Sequence, residues 1–186
     1  ADGKIDILGS VSYTPERAEA ISFSDYAEGT ERYWIYTREN HLNLTDGDLK
    51  QLNGCRIGVE DGSYQKKFLE KWLDSNQLHA ETVVCKGYDE IIKKQDADEL
   101  DAFVIPALSV DSDFIAIANI GVSDCYFGVS KSRPDLLKEL NSALEEINNT
   151  ETDFSSKLYA RYEGKAAINY ALNMEEKQWL AAHENT

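Results

Sequence analysis

The chain has 186 residues, 42% hydrophobic and 28% charged, enough apolar side chain for a substantial core and too much for a disordered segment. Its 34 acidic against 19 basic residues leave a net charge of -15, which argues against nucleic acid or an anionic membrane held by nonspecific electrostatics. The longest apolar stretches, such as Val104 to Leu108, fall far short of the ~20 residues of a membrane-spanning helix, and no basic-then-apolar signal opens the sequence.

In chain order, Lys4 to Leu8 alternates apolar with polar and predicts a half-buried strand over 4–8. Thr14-Pro15-Glu16-Arg17 reads as an N-cap, a proline at the first helical position and a short helix over 15–19. Strands follow at 32–37, 55–59, 81–85 and 100–104, with helices at 63–73 and 87–95, an α/β rhythm. Phe68, Leu69, Trp72 and Leu73 line one side of the first of these helices, and Tyr88, Ile91 and Ile92 do the same in the second. An apolar stretch at Phe114 to Ile120 precedes a strand at 124–130. Leu136, Leu137, Leu140, Leu144 and Ile147 then mark a long amphipathic helix opening at Arg133-Pro134. A last helical run carries Phe154, Leu158 and Tyr162, and no internal repeat or low-complexity tract is visible.

The stretch Gly9-Ser10-Val11-Ser12-Tyr13-Thr14-Pro15-Glu16-Arg17 places one guanidinium among hydroxyls at a strand-to-helix junction. A guanidinium is a planar fork of donors matched to a carboxylate, and N–H groups gathered at a helix start add to it. The competing reading is a surface turn with a solvated arginine. Cys55, Cys85 and Cys125 lie in three separate apolar contexts without a CxxC pair and read as buried thiols, with Cys55 and Cys85 the one pair to check for a disulfide. His41, His79 and His183 are isolated from zinc-type partners, so no metal site is expected. Phosphate-cradling glycine loops and the G-x-S-x-G elbow are missing from the sequence, and no cofactor is expected.

The same stretch, with Ile21-Ser22-Phe23-Ser24-Asp25 after it, resembles the first-lobe signature of the type II periplasmic-binding-protein family, in the amino-acid-binding branch of bacterial extracellular solute-binding domains (family 3). Leu52 to Gln65, through Gly58-Val59-Glu60-Asp61-Gly62-Ser63-Tyr64, resembles the strand, glycine turn and helix start of the second lobe, and Glu99 to Val104 that lobe's later strand. Tyr126 to Lys131 resembles the strand returning to the first lobe. Ionotropic glutamate receptor ligand cores share this fold and a similar threonine-to-arginine pattern. The resemblance implies two lobes joined by a hinge: a partial first lobe over 1–38, a second lobe over 39–120, and a return to the first lobe with C-terminal helices over 121–186. Crossings near Thr37 to Leu44 and Asn119 to Ser123 are the candidate hinges, and lobe closure on a ligand would be the signal.

Carried over residue by residue, the resemblance implies that Arg17 clamps a ligand carboxylate, with Ser10, Ser12 and Thr14 beside it. Gly62, Ser63 and Tyr64 match the second-lobe helix start, whose N–H groups face the same carboxylate; for Ser63 a plain N-cap role is the alternative. Where the family places an acidic partner for the ligand's ammonium group this chain has Pro106, and Asp111 and Asp113 are the nearest carboxylates after it. The strand, helix, strand and helix that open the family's first lobe have no counterpart before Gly9. An exposed edge and apolar face are therefore expected there, to be covered by a homodimer or strand exchange.

Leu172 to His183 resembles the junction after the sensor domain of membrane-anchored bacterial signalling proteins; packing of Trp179 and Leu180 on the first lobe is the plainer reading. The expected function is an extracytoplasmic sensor domain for an amino acid or small carboxylate in a protein of the histidine kinase or diguanylate cyclase type. A solute-binding receptor of an ABC importer is the alternative. An enzyme of the cyclohexadienyl dehydratase type would need a positioned acid or base, for which Asp25, Glu60 and Asp61 are the available carboxylates, and no supporting pair is legible.

Overall fold

The computed structural model describes residues 5–38, 48–107, 114–151 and, beyond these, 154, 157, 158 and 161. They fall into two units, one formed by residues up to Glu31 together with those from Val122 onward, the other by Arg32–Gly121. Two strands, β3 (Gly29–Arg38) and β7 (Phe114–Ser130), pass from one unit into the other and neighbour each other in hydrogen-bonding order. The fold is mixed α/β.

In the first unit, β1 (Ile7–Ser12) and β2 (Ile21–Phe23) both run antiparallel to β7 and are joined by the short helix α1 (Pro15–Ala20). The alternation at Lys4 to Leu8 places this strand too early. Its ladder with β7 begins at Ile7↔Val129 and continues to Ser12↔Cys125, with two residues of β1, Gly9 and Ser10, against one of β7 between the pairs at Leu8 and Val11. Ser10 takes the extra position with φ 55, the left-handed conformation that lets a bulge re-aim the strand. The half-buried character expected for 4–8 also does not hold, since Ile5, Ile7 and Leu8 are 66, 37 and 54% exposed. Helix α4 (Pro134–Thr150) opens on its proline as expected, yet Leu136, Leu137, Leu140, Leu144 and Ile147 are only half-buried. Phe154 and Leu158 are helical, whereas Tyr162 and the run 172–183 lie outside the described residues.

The second unit carries the deeper core. Strand β4 (Arg56–Glu60) lies between β5 (Glu81–Cys85) and β6 (Ala102–Pro106), parallel to both, and β6 pairs antiparallel with β3. Parallel neighbours need crossovers, supplied by α2 (Gln65–Ser75) and α3 (Tyr88–Asp96). As the apolar spacing predicts, Leu69, Leu73 and Ile91 are buried, with Phe68, Trp72, Tyr88 and Ile92 packed at the margins. Two clusters result, one around Ile57, Val59, Leu69 and Val104, the other around Tyr36, Ile91, Phe103 and Phe114. Arg56 closes the lower end, donating from Nε and Nη2 to the Asp101 carboxylate at 3.0 and 2.9 Å.

Phe114 to Ser130 is a single 17-residue strand, so the crossing expected at Asn119 to Ser123 is extended backbone. The other expected crossing, Thr37 to Leu44, is described only as far as Arg38, within β3. Among the described residues no helix is long and apolar enough to cross a membrane.

Candidate functional site

Four of the predicted ligand residues sit in the first unit, where β1 hands over to α1. Thr14 is the N-cap, its hydroxyl accepting from the Arg17 amide at 2.9 Å, and Pro15 follows at the first helical position. The Arg17 side chain folds back so that Nη1 donates to the Ser12 carbonyl at 3.0 Å. One of the five guanidinium donors thus anchors the fork at the end of β1, which fixes its place with half-buried surroundings.

Ser12 is 5% exposed, in register with Cys125 across the β1–β7 ladder, and its hydroxyl bonds the Cys125 thiol. Burial, with the Glu31 carboxylate adding to it, pushes the Cys125 thiol up to about 11. Ser10 lies on the exposed bulge, and its amide donates to a carboxylate oxygen of Glu28. The residues of the motif are therefore clustered as expected, but the two serines differ in use: Ser12 is built into the strand pairing, and the Ser10 amide is taken up by Glu28, leaving its hydroxyl as the side-chain group to offer. Sequence reading missed Glu28. Its separation of 18 residues from Ser10 leaves no local pattern by which to find it.

The other three predicted residues sit in the second unit, between β4 and α2. Gly62 has φ 67, in the left-handed region, so a glycine there answers to the turn itself. The Ser63 hydroxyl donates to the Glu60 carbonyl at 2.6 Å and accepts from the Gln65 amide at 3.2 Å, while its own amide donates to Glu60 at 3.3 Å. The helix begins at Gln65 with Tyr64 as its half-in residue, two positions later than the predicted start at 63, because these Ser63 bonds close a turn before the helical ladder begins. Tyr64 packs its ring against Phe68 at 5.7 Å and under the Lys67 ammonium at the same distance. Gln65, 2% exposed, accepts from the Glu60 amide at 2.8 Å and pins the helix start to the strand end. It was not singled out from the sequence, though a glutamine directly after Gly-Ser-Tyr at a helix start was the available signal.

Pro106, aligned with the family's acidic position, ends β6, and Asp111 and Asp113 lie outside the described residues. Asp25 is engaged with Asn141, accepting from its side-chain amide at 2.7 Å while its own amide donates to the Asn141 oxygen at 3.0 Å. This bond pair ties the end of β2 to α4 and sets no acid beside a base. The three cysteines are free thiols, Cys55 and Cys85 included, each raised first by burial, which keeps them protonated near neutrality. Among the described residues no three His, Cys, Asp or Glu side chains are grouped to hold a metal; His41 and His183 lie outside them.

The model of the bacterial extracellular solute-binding proteins, family 3, matches residues 1–165. Among solved structures, the probable amino-acid ABC transporter extracellular-binding protein ytmK of Bacillus subtilis superposes with TM-score 0.68 at 21% identity, over 87% of this chain and 72% of that one. An ancestral arginine-binding protein bound to arginine gives TM-score 0.63 at 22% identity over 86% and 72%. The ancestral amino acid-binding protein AncCDT-1, a precursor of cyclohexadienyl dehydratase, gives 0.64 at 21% over 86% and 70%. No curated protein sequence matched. At these identities the structural likeness speaks to the fold.

Proposed function

Because the chain belongs to the bacterial extracellular solute-binding proteins, family 3, we propose that it binds a small carboxylate, an amino acid in the first instance, through Arg17. The observation that carries this reading is the guanidinium placed by the Ser12 carbonyl beside the Thr14 cap, a positioned planar cation of the shape that matches a carboxylate. In the proposal Ser10, Ser12 and Thr14 frame that carboxylate, and Gly62, Ser63 and Tyr64 supply further contacts. The solved neighbours, among them an ancestral arginine-binding protein bound to arginine and a probable amino-acid ABC transporter binding protein, support an amino acid as ligand.

We further propose that the domain serves as the extracytoplasmic sensor of a membrane-anchored signalling protein, of the histidine kinase or diguanylate cyclase type, and signals by lobe closure. The run 172–183 supports this, and a ligand drives such a change only through its differential affinity for the closed form. A receptor for an amino-acid ABC importer is the second reading, favoured by the B. subtilis neighbour. The bound Asp25 and the absence of a supported acid-base pair among the described residues favour binding over catalysis. The exposed Ile5, Ile7 and Leu8 support a homodimer in which a second copy covers β1.

A thermal-shift screen of the chain against amino acids and small carboxylates tests the binding reading. A ligand at 100 times its Kd stabilises the fold by about 2.7 kcal/mol, and an upward shift for one chemical class is expected. A flat response across the panel at millimolar concentrations, with the protein folded, contradicts it.

A further inference from the structure

The second unit buries polar atoms that no group among the described residues pairs. Tyr36 is 0% exposed and its hydroxyl has no hydrogen-bond partner; Gln95 is 1% exposed and neither its oxygen nor its nitrogen has one; Arg38 Nε is likewise unpaired. Ring contacts and one ion pair link the elements that carry these groups. Tyr36 stacks on Phe103 at 6.3 Å, Phe103 meets Phe114 edge-on at 4.8 Å, and the Arg38 guanidinium lies 5.6 Å over the Phe114 ring. Arg38 Nη2 pairs with Asp96 at 2.8 Å, and Asp96 is the neighbour of Gln95 in the last turn of α3. Tyr36 and Arg38, two apart on β3, share a face of that strand.

A carboxamide, a phenol and a guanidinium N–H are mutually complementary, yet no direct bond joins them. Native interiors leave few such atoms unsatisfied, and water is the usual remedy where two to four polar groups converge. We propose that the Tyr36 hydroxyl, the Gln95 carboxamide and Arg38 Nε together form an internal water-binding site that fastens the last turn of α3 to the end of β3. A water there accepts from Arg38 Nε and Gln95 Nε2 and donates to Gln95 Oε1 and Tyr36 Oη, so every orphan gains a partner of the right kind. Burial keeps the Tyr36 phenol protonated and able both to donate and to accept.

The test is water–protein NMR on the intact chain with Tyr36→Phe, Gln95→Met and the double variant. A long-lived water cross-peak to the Gln95 side-chain amide is expected in the parent and not in Tyr36→Phe. Each single variant is expected to lower the folding equilibrium constant about ten-fold by leaving the remaining buried polar groups unpaired, and the double variant by less than the product of the two. No long-lived water, with both single variants more stable than the parent and their effects multiplicative, overturns the proposal. Where the stabilities are mixed, the cross-peak decides.

Discussion

Arg17 and Cys125 are the two residues whose chemistry the structure changes most. The sequence places Arg17 among hydroxyls, but the group that holds its head is a carbonyl, Ser12 O, which no side-chain pattern reveals. Likewise Cys125 reads simply as a buried thiol, whereas Ser12 and the Glu31 carboxylate both engage it. Its folded pKa of about 11 lies above the ordinary thiol value, so from roughly pH 9 the unfolded chain loses a proton that the folded one keeps. Stability should therefore fall as pH rises through that window. A Tm-against-pH series should show the fall in the parent and a shallower one in Cys125→Ala; equal slopes would mean that the thiol does not sense its fold. Ser63→Ala removes a hydroxyl that closes the turn before α2, and chemical denaturation should register a loss of about 1 kcal/mol.

At the scale of elements, the chain was most legible where one periodicity ran uninterrupted. Strand β5 matches the expected 81–85, and α2, α3 and α4 follow their apolar stripes. The misplacements have physical causes. The bulge at Ser10 shifts β1 against its own alternation, and Gly121, Ser123 and Asp124 suggest a break where the backbone of β7 runs on extended.

The glycines separate two kinds of constraint. A Cβ at Gly58 would come within 2.6 Å of the buried Leu100, so Gly58→Ala should cost about 1–3 kcal/mol through overpacking. A Cβ at Gly62 would meet nothing within 4 Å, and the backbone conformation alone should make Gly62→Ala cost about 1 kcal/mol. Urea unfolding of the two variants checks both, and a neutral Gly58→Ala would show that Leu100 yields.

For the whole molecule, the two units are unequally packed. Leu69 is 0% exposed within the second unit, so Leu69→Ala should cost about 2–5 kcal/mol. The half-buried Leu140 of α4 should cost clearly less by the same measurement. Ile5, Ile7 and Leu8 present exposed apolar side chains at and just before the start of β1. The ligand was not legible: Arg17 speaks for a carboxylate, while Pro106 stands where an acid would have spoken for an ammonium group.

The central claim is that Arg17 binds a carboxylate. Calorimetric titration of the parent and of Arg17→Ala with the compound that stabilises the parent tests it most directly. Loss of about 2–5 kcal/mol of binding free energy in the variant, with its Tm little changed, is the predicted result. Undiminished affinity in a folded Arg17→Ala would contradict the account.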